Sequence, residues 1–552
     1  MTSMPTSVTP TPVAPREGFH LYDTTLRDGS QQEGLTLSVA DKLAVARLLD
    51  ELGVTYIEGG WPGAIPRDTE FFARAAAGEL ELAHARLAAF GATRKAGVSV
   101  TEDPQVAALL DSQAPTVTLV AKSDLRHVTQ ALRTTGEENL AMVRDTVAHL
   151  VAAGREVFVD AEHFFDGYRH DADYTTSVLL AAHEAGAAGL VLCDTNGGML
   201  PHQVTEVITD LTARLTAAGA GQARLGAHTH DDTGCAVANA LAAVHAGITH
   251  VQGCVNGYGE RTGNANLITL MADLQLKMDL PLVPEETLAD STRIAQTIGE
   301  IVNLPVNSRA PYAGTSAFAH KAGLHASAIR VDPDLYQHID PRVVGNDMRM
   351  IISDMAGRAS IELKGRELGF DLQAEPELLT RLAATVKQRE AVGYSYEAAD
   401  ASFELLLLDE LGQVPSYSRV ESWRATSQLG RDGQLETEAT VKLVPQDRDG
   451  TVLPSARQVA IAEGNGPVHA LDLALRGALR QAHPEVDDFE LQDFKVRILD
   501  SQHGTDATTR VLVRTAGRGL EFQTVGVGPN VIEASWEAIY DAYTYGLHKS
   551  GV

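Results

Sequence analysis

Eight short apolar runs, each followed by an amphipathic stretch of helical period, fill residues 19 to about 275. The runs centre near Leu21, Ile57, Ala88, Val117, Phe158, Val191, Leu225 and Val251. The helical stretches are legible one by one. In the first, Val45, Leu48, Leu49 and Leu52 follow i, i+3, i+4, i+7 spacing, and Ser38 with Asp41 forms an N-terminal cap. Eight β/α units over about 260 residues match the size and rhythm of a (β/α)8 TIM barrel. The expected fold is therefore α/β, with the barrel over residues 18–284; an open doubly wound sheet is the alternative.

Around Pro281–Pro284 the rhythm stops. Residues 285–412 read as a mainly helical connecting region with irregular stretches such as Asn307–Ala319. From 413 to 552 a repeat emerges. Alternating segments at Glu438–Val444 and Gln458–Ala462 lead through Gly464-Asn465-Gly466-Pro467 into a helix, Val468–Ala482. Asp493–Ile498, Thr508–Val513 and Glu521–Val525 then lead through Gly526-Val527-Gly528-Pro529 into Val531–His548. This predicts a small pseudo-symmetric α+β domain. A Gly-Pro loop entering a helix suits a plain turn and cap, or an anion at the helix N-terminus.

Charge narrows the functions. The balance of 45 basic and 73 acidic residues leaves a net charge of −28, which opposes nonspecific nucleic-acid binding and adhesion to anionic membranes. No run of 18 apolar residues appears, so no membrane span is expected. Three cysteines, Cys193, Cys235 and Cys254, without a CxxC pair fit a reducing cytoplasm. Residues 1–17, rich in Thr, Pro and Ser, read as a disordered tail without the apolar stretch of a signal peptide.

Chemistry-bearing residues recur where barrel strands end, which is where barrel enzymes carry their sites. After the first strand comes Asp23-Thr24-Thr25-Leu26-Arg27-Asp28-Gly29; after the fifth, Asp160-Ala161-Glu162-His163; after the sixth, Cys193-Asp194-Thr195-Asn196-Gly197-Gly198. His228-Thr229-His230 follows the seventh, and Asn256 to Asn264 (NGYGERTGN) the eighth. Two histidines at spacing two on a strand point the same way, a pairing suited to a metal. Each feature alone has a plain structural reading: Asp28 as a turn residue, His228 or His230 as a satisfied core histidine, Glu162 as a solvated carboxylate. Their joint placement on one rim favours a divalent metal held by a carboxylate and two imidazoles, with open positions for substrate. Mg2+, Mn2+, Co2+ and Zn2+ all suit this ligation.

Four runs carry a resemblance: LYDTTLRDGSQ at Leu21–Gln31, LCDTNGG at Leu192–Gly198, HTHDDTG from His228, and GYGERTGNAN from Gly257. They resemble the motifs of the acyl-CoA-dependent Claisen-condensing barrel enzymes, a family that includes 2-isopropylmalate, homocitrate and citramalate synthases. Gly59–Ala64 (GGWPGA), Asp68–Phe72, Asp160–Gly167 (DAEHFFDG) and Gly393–Leu405 are similar to the longer citramalate branch. The resemblance implies Asp28, His228 and His230 as metal ligands, with Asn264 a fourth and more distant one. It implies Arg27 as the residue that binds and polarises a 2-oxo acid, Thr195 as a hydroxyl on its carboxylate, and Glu162 as an active-site carboxylate. His325 and its partner Tyr336 match a catalytic pair of the connecting region, donated by a neighbouring subunit of a homodimer.

For the citramalate branch the implied substrates are acetyl-CoA and pyruvate. The C-terminal domain resembles an amino-acid-sensing dimer module, with isoleucine as the implied effector. Larger 2-oxo acids, as in the sister synthases, and the reverse cleavage of an acyl-CoA by a lyase are the alternatives. Two positions depart from the family pattern: Ser30 stands where many relatives carry Glu, and Ser327 where some carry an acidic residue.

Overall fold

A computed structural model describes residues 18–431, 433–454, 457–499 and 507–552. The N-terminal segment 1–17, read above as a disordered tail, lies outside the described residues. The chain divides into two compact units. The first runs to Phe318 and takes in Pro341–Asp347; the second comprises Ala319–Asp340 and Met348–Val552.

Eight parallel strands close the first unit into a barrel. They are β1 (His20–Asp23), β2 (Tyr56–Glu58), β3 (Arg86–Ala92), β4 (Thr116–Lys122), β5 (Glu156–Glu162), β6 (Gly189–Asp194), β7 (Leu225–Thr229) and β8 (His250–Gly253). Every centre inferred from the sequence falls inside its strand. The closing pair sets Leu21 against Val251 and Asp23 against Gly253, which excludes the open sheet. The helix Val39–Glu51 starts in a reciprocal Ser38–Asp41 capping box, as its sequence predicted.

Strand alternation sorts the barrel interior into levels. The lower level is aromatic: Tyr22, Tyr56, Ala88 and Phe158 form one buried cluster, with His20 and His250 against it. Two positions further along the same strands the side chains turn polar, as Glu58, Asp160 and Gln252, all buried. They carry the rim described below.

After the barrel, the helix Ser291–Ile301 stays with the first unit. The Ser291 and Thr292 hydroxyls donate to Val344 O at 3.3 and 2.6 Å. Asn346 Nδ2 donates to Tyr312 O and Gly314 O at 2.7 and 2.9 Å, which ties Pro341–Asp347 to this unit. The connecting region is thus divided between the two units, and its helices alternate with irregular stretches that include Asn307–Phe318. Long stretches are turns, and Ala319–His320 pairs with Arg349–Met350 as two short parallel strands, β9 and β10.

In the second unit, helices Arg358–Glu367, Pro376–Ala391 and Asp400–Glu410 share a core that includes Leu363, Leu379, Leu382, Val386, Phe403 and Leu407. The repeat is present as two antiparallel three-stranded sheets. β11 (Ser418–Leu429), β12 (Leu435–Pro445) and β13 (Gln458–Glu463) precede the helix Pro467–Leu479. β14 (Glu490–Ile498), β15 (Thr509–Gly517) and β16 (Leu520–Gly528) precede Val531–Lys549. The two Gly-Pro loops serve as helix starts by different means. Gly466 is the first cap, with Pro467 in the opening turn. In the second, β16 runs on to Gly528 and the Asn530 side chain accepts the N–H groups of Ile532 and Glu533.

Candidate functional site

Asp28, His228 and His230 meet at the C-terminal mouth of the barrel. Asp28 lies just past β1; His228 ends the inward-facing series of β7, and His230 follows it beyond the strand. The potential ligand atoms of the three lie within 4.8 Å of one another. His228 Nε2 is 3.1 Å from Asp28 Oδ2 and 3.1 Å from His230 Nε2, and His230 Nε2 is 3.6 Å from the same oxygen. All three residues are buried. Burial pushes the Asp28 carboxyl up, but the Arg27 charge and the histidine hydrogen bonds overcome this and hold it well below the usual carboxylate range. Two imidazole nitrogens and an ionised carboxylate oxygen aimed at one point form a mixed N/O donor set that can hold a divalent cation.

Asn264 completes the fit. Its Nδ2 donates to Tyr258 O at 3.1 Å, while its Oδ1 is buried without a protein partner. A backbone bridge pairs His230 with Asn264, which sets the two residues side by side. The surrounding glycines are required there. Gly263 has φ +96°, and an added Cβ would lie 2.0 Å from Gly257 O; at Gly259, with φ +151°, it would lie 2.3 Å from Asn264 Nδ2. An orphaned buried amide oxygen on the residue bridged to His230 is what a cation with oxygen affinity would satisfy.

Arg27 stands beside the trio, with its guanidinium 3.9 Å from the centre of the Phe90 ring. Its Nε donates to Glu58 Oε2 at 2.5 Å and its Nη1 lies 3.1 Å from Asp28 Oδ1. Burial opposes the charge, but the two carboxylates outweigh it and keep the guanidinium protonated. Glu58 is locked from below, because Tyr22 Oη donates to its Oε1 at 2.9 Å. Ser30, the departure from the family pattern, uses its hydroxyl to donate to Arg27 O at 2.7 Å and so pins the turn.

Thr195 and Glu162 occupy the neighbouring rim. The Thr195 hydroxyl oxygen accepts the His163 N–H at 2.8 Å, and Thr195 O accepts from Arg261 Nη2 at 2.8 Å. Glu162 ends β5 and pairs with Lys122, which sits opposite it at the end of β4. His163 adopts φ +58° and stacks on His127 with ring centroids 3.9 Å apart. His325 and Tyr336 belong to the second unit. The helix Gly323–Ile329 and the turn Pro333–Leu335 return Tyr336 onto His325, and the rings stack at 4.1 Å. Ser327 Oγ donates to Gly323 O within its own helix, so it forms no relay to the histidine.

Five residues of this rim were not selected from the sequence: Glu58, Phe90, Lys122, Gln252 and Arg261. A lone Glu in the apolar strand Tyr56–Glu58 was the available signal, since a fully buried carboxylate needs a partner. Burial and the Glu58 charge push the Asp160 carboxyl, on the same polar level as Glu58 and Gln252, up to about 7.

Comparisons with known proteins give the family. A family profile described as HMGL-like matches residues 18–298, one described as homocitrate synthase post-HMGL domain-like matches 313–392, and one described as LeuA allosteric (dimerisation) domain matches 397–547. The (R)-citramalate synthase of Streptomyces coelicolor is 60% identical over 537 residues, covering 97% of this chain and 98% of that protein. The (R)-citramalate synthase of Aquifex aeolicus is 44% identical, covering 97% and 98%. The 2-isopropylmalate synthase of an Enterobacter species is 28% identical, covering 94% and 93%.

Proposed function

This chain belongs to the HMGL-like family and to its (R)-citramalate synthases, and we propose that it condenses acetyl-CoA with pyruvate and water to give (R)-citramalate and CoA. The observation that carries this reading is the convergence of Asp28, His228 and His230 beside Arg27 at the barrel mouth. Near full-length identity to citramalate synthases favours pyruvate over the larger 2-oxo acids.

Asp28, His228, His230 and the Asn264 oxygen would hold a divalent ion, with Mn2+ or Mg2+ preferred and Co2+ or Zn2+ compatible. When bound, such an ion supplies Lewis-acid polarisation of a 2-oxo acid carbonyl. The chain's own groups do the rest. Arg27, fixed by Glu58 and Phe90, donates to the oxygen that gains charge as the carbonyl is attacked. Thr195 already accepts a backbone N–H, so its hydroxyl hydrogen is free to reach the substrate carboxylate. His325, supported by Tyr336 and donated by a neighbouring copy of the chain, removes a proton from the acetyl methyl group, with Glu162 assisting. The carbon left behind attacks the keto carbon of pyruvate. Water then cleaves the thioester, and CoA leaves as the thiol.

The C-terminal repeat acts as a dimerisation and sensing module, with isoleucine as effector. The protein works in the cytoplasm, a reading supported by its three unpaired cysteines. Among the described residues, no helix is long and apolar enough to cross a membrane. The test is CoA release from acetyl-CoA with pyruvate, 2-oxobutyrate, 2-oxoisovalerate or 2-oxoglutarate, with Mn2+ or with chelator. Metal-dependent release that is fastest with pyruvate supports the proposal. Preference for a branched or dicarboxylic acid moves it to a sister activity, and no release with any acid refutes it.

A further inference from the structure

Gln252 lies on β8 inside the barrel, fully buried, two positions beyond His250 and in register with His228 on the neighbouring strand. Its amide faces three groups. Gln252 Nε2 is 3.0 Å from Asp160 Oδ1 and 3.4 Å from His250 Nε2, and Gln252 Oε1 is 2.6 Å from His228 Nδ1. The identities of these neighbours decide which end of the amide points where. The amide NH2 is the end set on Asp160 Oδ1, an oxygen that accepts from it whether or not the other carboxyl oxygen holds a proton. The amide oxygen is then the end that meets His228, and an oxygen can only accept. His228 Nδ1 must therefore carry a hydrogen, so the lone pair this ring can offer a cation is on Nε2, the nitrogen that without a cation donates to the ionised Asp28 carboxylate. That nitrogen is the one 3.1 Å from both Asp28 Oδ2 and His230 Nε2.

The same logic does not constrain His230. Its Nδ1 is 3.0 Å from Arg261 Nη2, whose two hydrogens also have Thr195 O at 2.8 Å and Asp232 Oδ2 at 2.9 Å as acceptors. One ring of the pair has its tautomer set from behind; the other is left to adjust. A polar column that is otherwise costly to bury acquires a purpose on this basis.

We propose that Gln252 is the positioning residue that presents His228 Nε2 as a lone-pair donor, and that Asp160 acts through it by fixing the amide's orientation. This rests on the reading of Asp28, His228 and His230 as a cation site, and the experiment separates the two.

The full-length chain is stripped with chelator and titrated with Mn2+ alone by calorimetry. In parallel, the histidine 15N–1H long-range spectrum of the stripped protein reports which ring nitrogen is protonated, with the His228 signal identified by its loss in His228→Ala. The wild type is expected to show His228 protonated at Nδ1. Gln252→Met, similar in volume but unable to accept, should lose that signature and weaken Mn2+ binding by roughly 10–100-fold. Gln252→Glu should recover most of the affinity, because a carboxylic acid sharing one proton with Asp160 still offers a carbonyl oxygen to His228. This rescue also distinguishes a tautomer effect from general damage. Unchanged affinity and an unchanged His228 signature in Gln252→Met, with binding abolished in His228→Ala, would overturn the role of Gln252 and leave the cation site standing. Full Mn2+ affinity in His228→Ala would overturn the cation-site reading and this inference with it.

Discussion

Replacing Glu58 by Ala isolates what holds Arg27. In the intact site the guanidinium has two anionic neighbours, Glu58 Oε2 at 2.5 Å and Asp28 Oδ1 at 3.1 Å, and its side chain is only 12% exposed. Two unit charges about 4 Å apart attract by about 4 kcal/mol at an effective dielectric near 20. Removing one partner of such a buried pair typically costs about 3–5 kcal/mol, because the remaining charge loses its compensation. Asp28 becomes the sole partner of Arg27, so the guanidinium is drawn onto the carboxylate that the cation site needs. Each 1.4 kcal/mol of lost transition-state stabilisation is about tenfold in kcat/KM. Glu58→Gln is the informative contrast. Its amide oxygen can still accept from Arg27 Nε, while its NH2 meets Tyr22 Oη, whose hydrogen turns to Thr118 Oγ1 at 2.6 Å. The charge is lost but the geometry is kept, so the cost should fall to about 1–2 kcal/mol. Urea unfolding of the full-length chain would follow Trp61 fluorescence in a background with Trp423 and Trp536 changed to Phe. That leaves one of the three tryptophans, and it reports on the barrel. A Glu58→Ala loss below about 1 kcal/mol, or a Glu58→Gln loss equal to it, would refute this reasoning.

Asp23 gives a pH signature. Burial raises its carboxyl to about 7 against two hydrogen bonds from Thr25, so its stabilising contribution is complete below its unfolded value of 3.8 and is lost as pH rises through 7. Relative to Asp23→Asn, wild-type stability in urea should fall by up to about 4 kcal/mol between pH 4 and 8; a flat difference would contradict this. Gly263→Ala drives a Cβ to 2.0 Å from Gly257 O at φ +96° and should displace the Asn264 loop, weakening Mn2+ binding in calorimetry; unaltered affinity would separate Asn264 from the site. His325→Ala should lower kcat by about 10²-fold or more with an unchanged urea profile, and normal turnover would remove His325 as the base.

The barrel was legible because each strand is a short apolar run and each helix repeats at 3.6. Arg27, Asp28, His228 and His230 were legible because strand ends and period-two spacing place them without knowledge of neighbours. Glu58 and Gln252 were not, because their meaning lies in other strands. Glu58 acts on Arg27 of β1's loop, and Gln252 joins Asp160 of β5 to His228 of β7, 92 and 24 residues away. Only closure of the sheet brings those groups together. Lys122 reads as an ordinary strand-end lysine until the parallel register sets it against Glu162. The turns of the connecting region were hidden for a related reason. Its helical periodicity marks the helices, but the turns between them are held by Asn346 and by Thr292, whose partners lie 34 or 32 and 52 residues distant.

The most direct test of the condensation is to follow the carbon bond. Purified protein with Mn2+, [2-13C]acetyl-CoA and [2-13C]pyruvate should give a product whose 13C spectrum shows one-bond coupling between the two labels, with the R configuration on chiral separation. CoA released alongside uncoupled labelled acetate and unchanged pyruvate would mean simple thioester hydrolysis and would contradict the account.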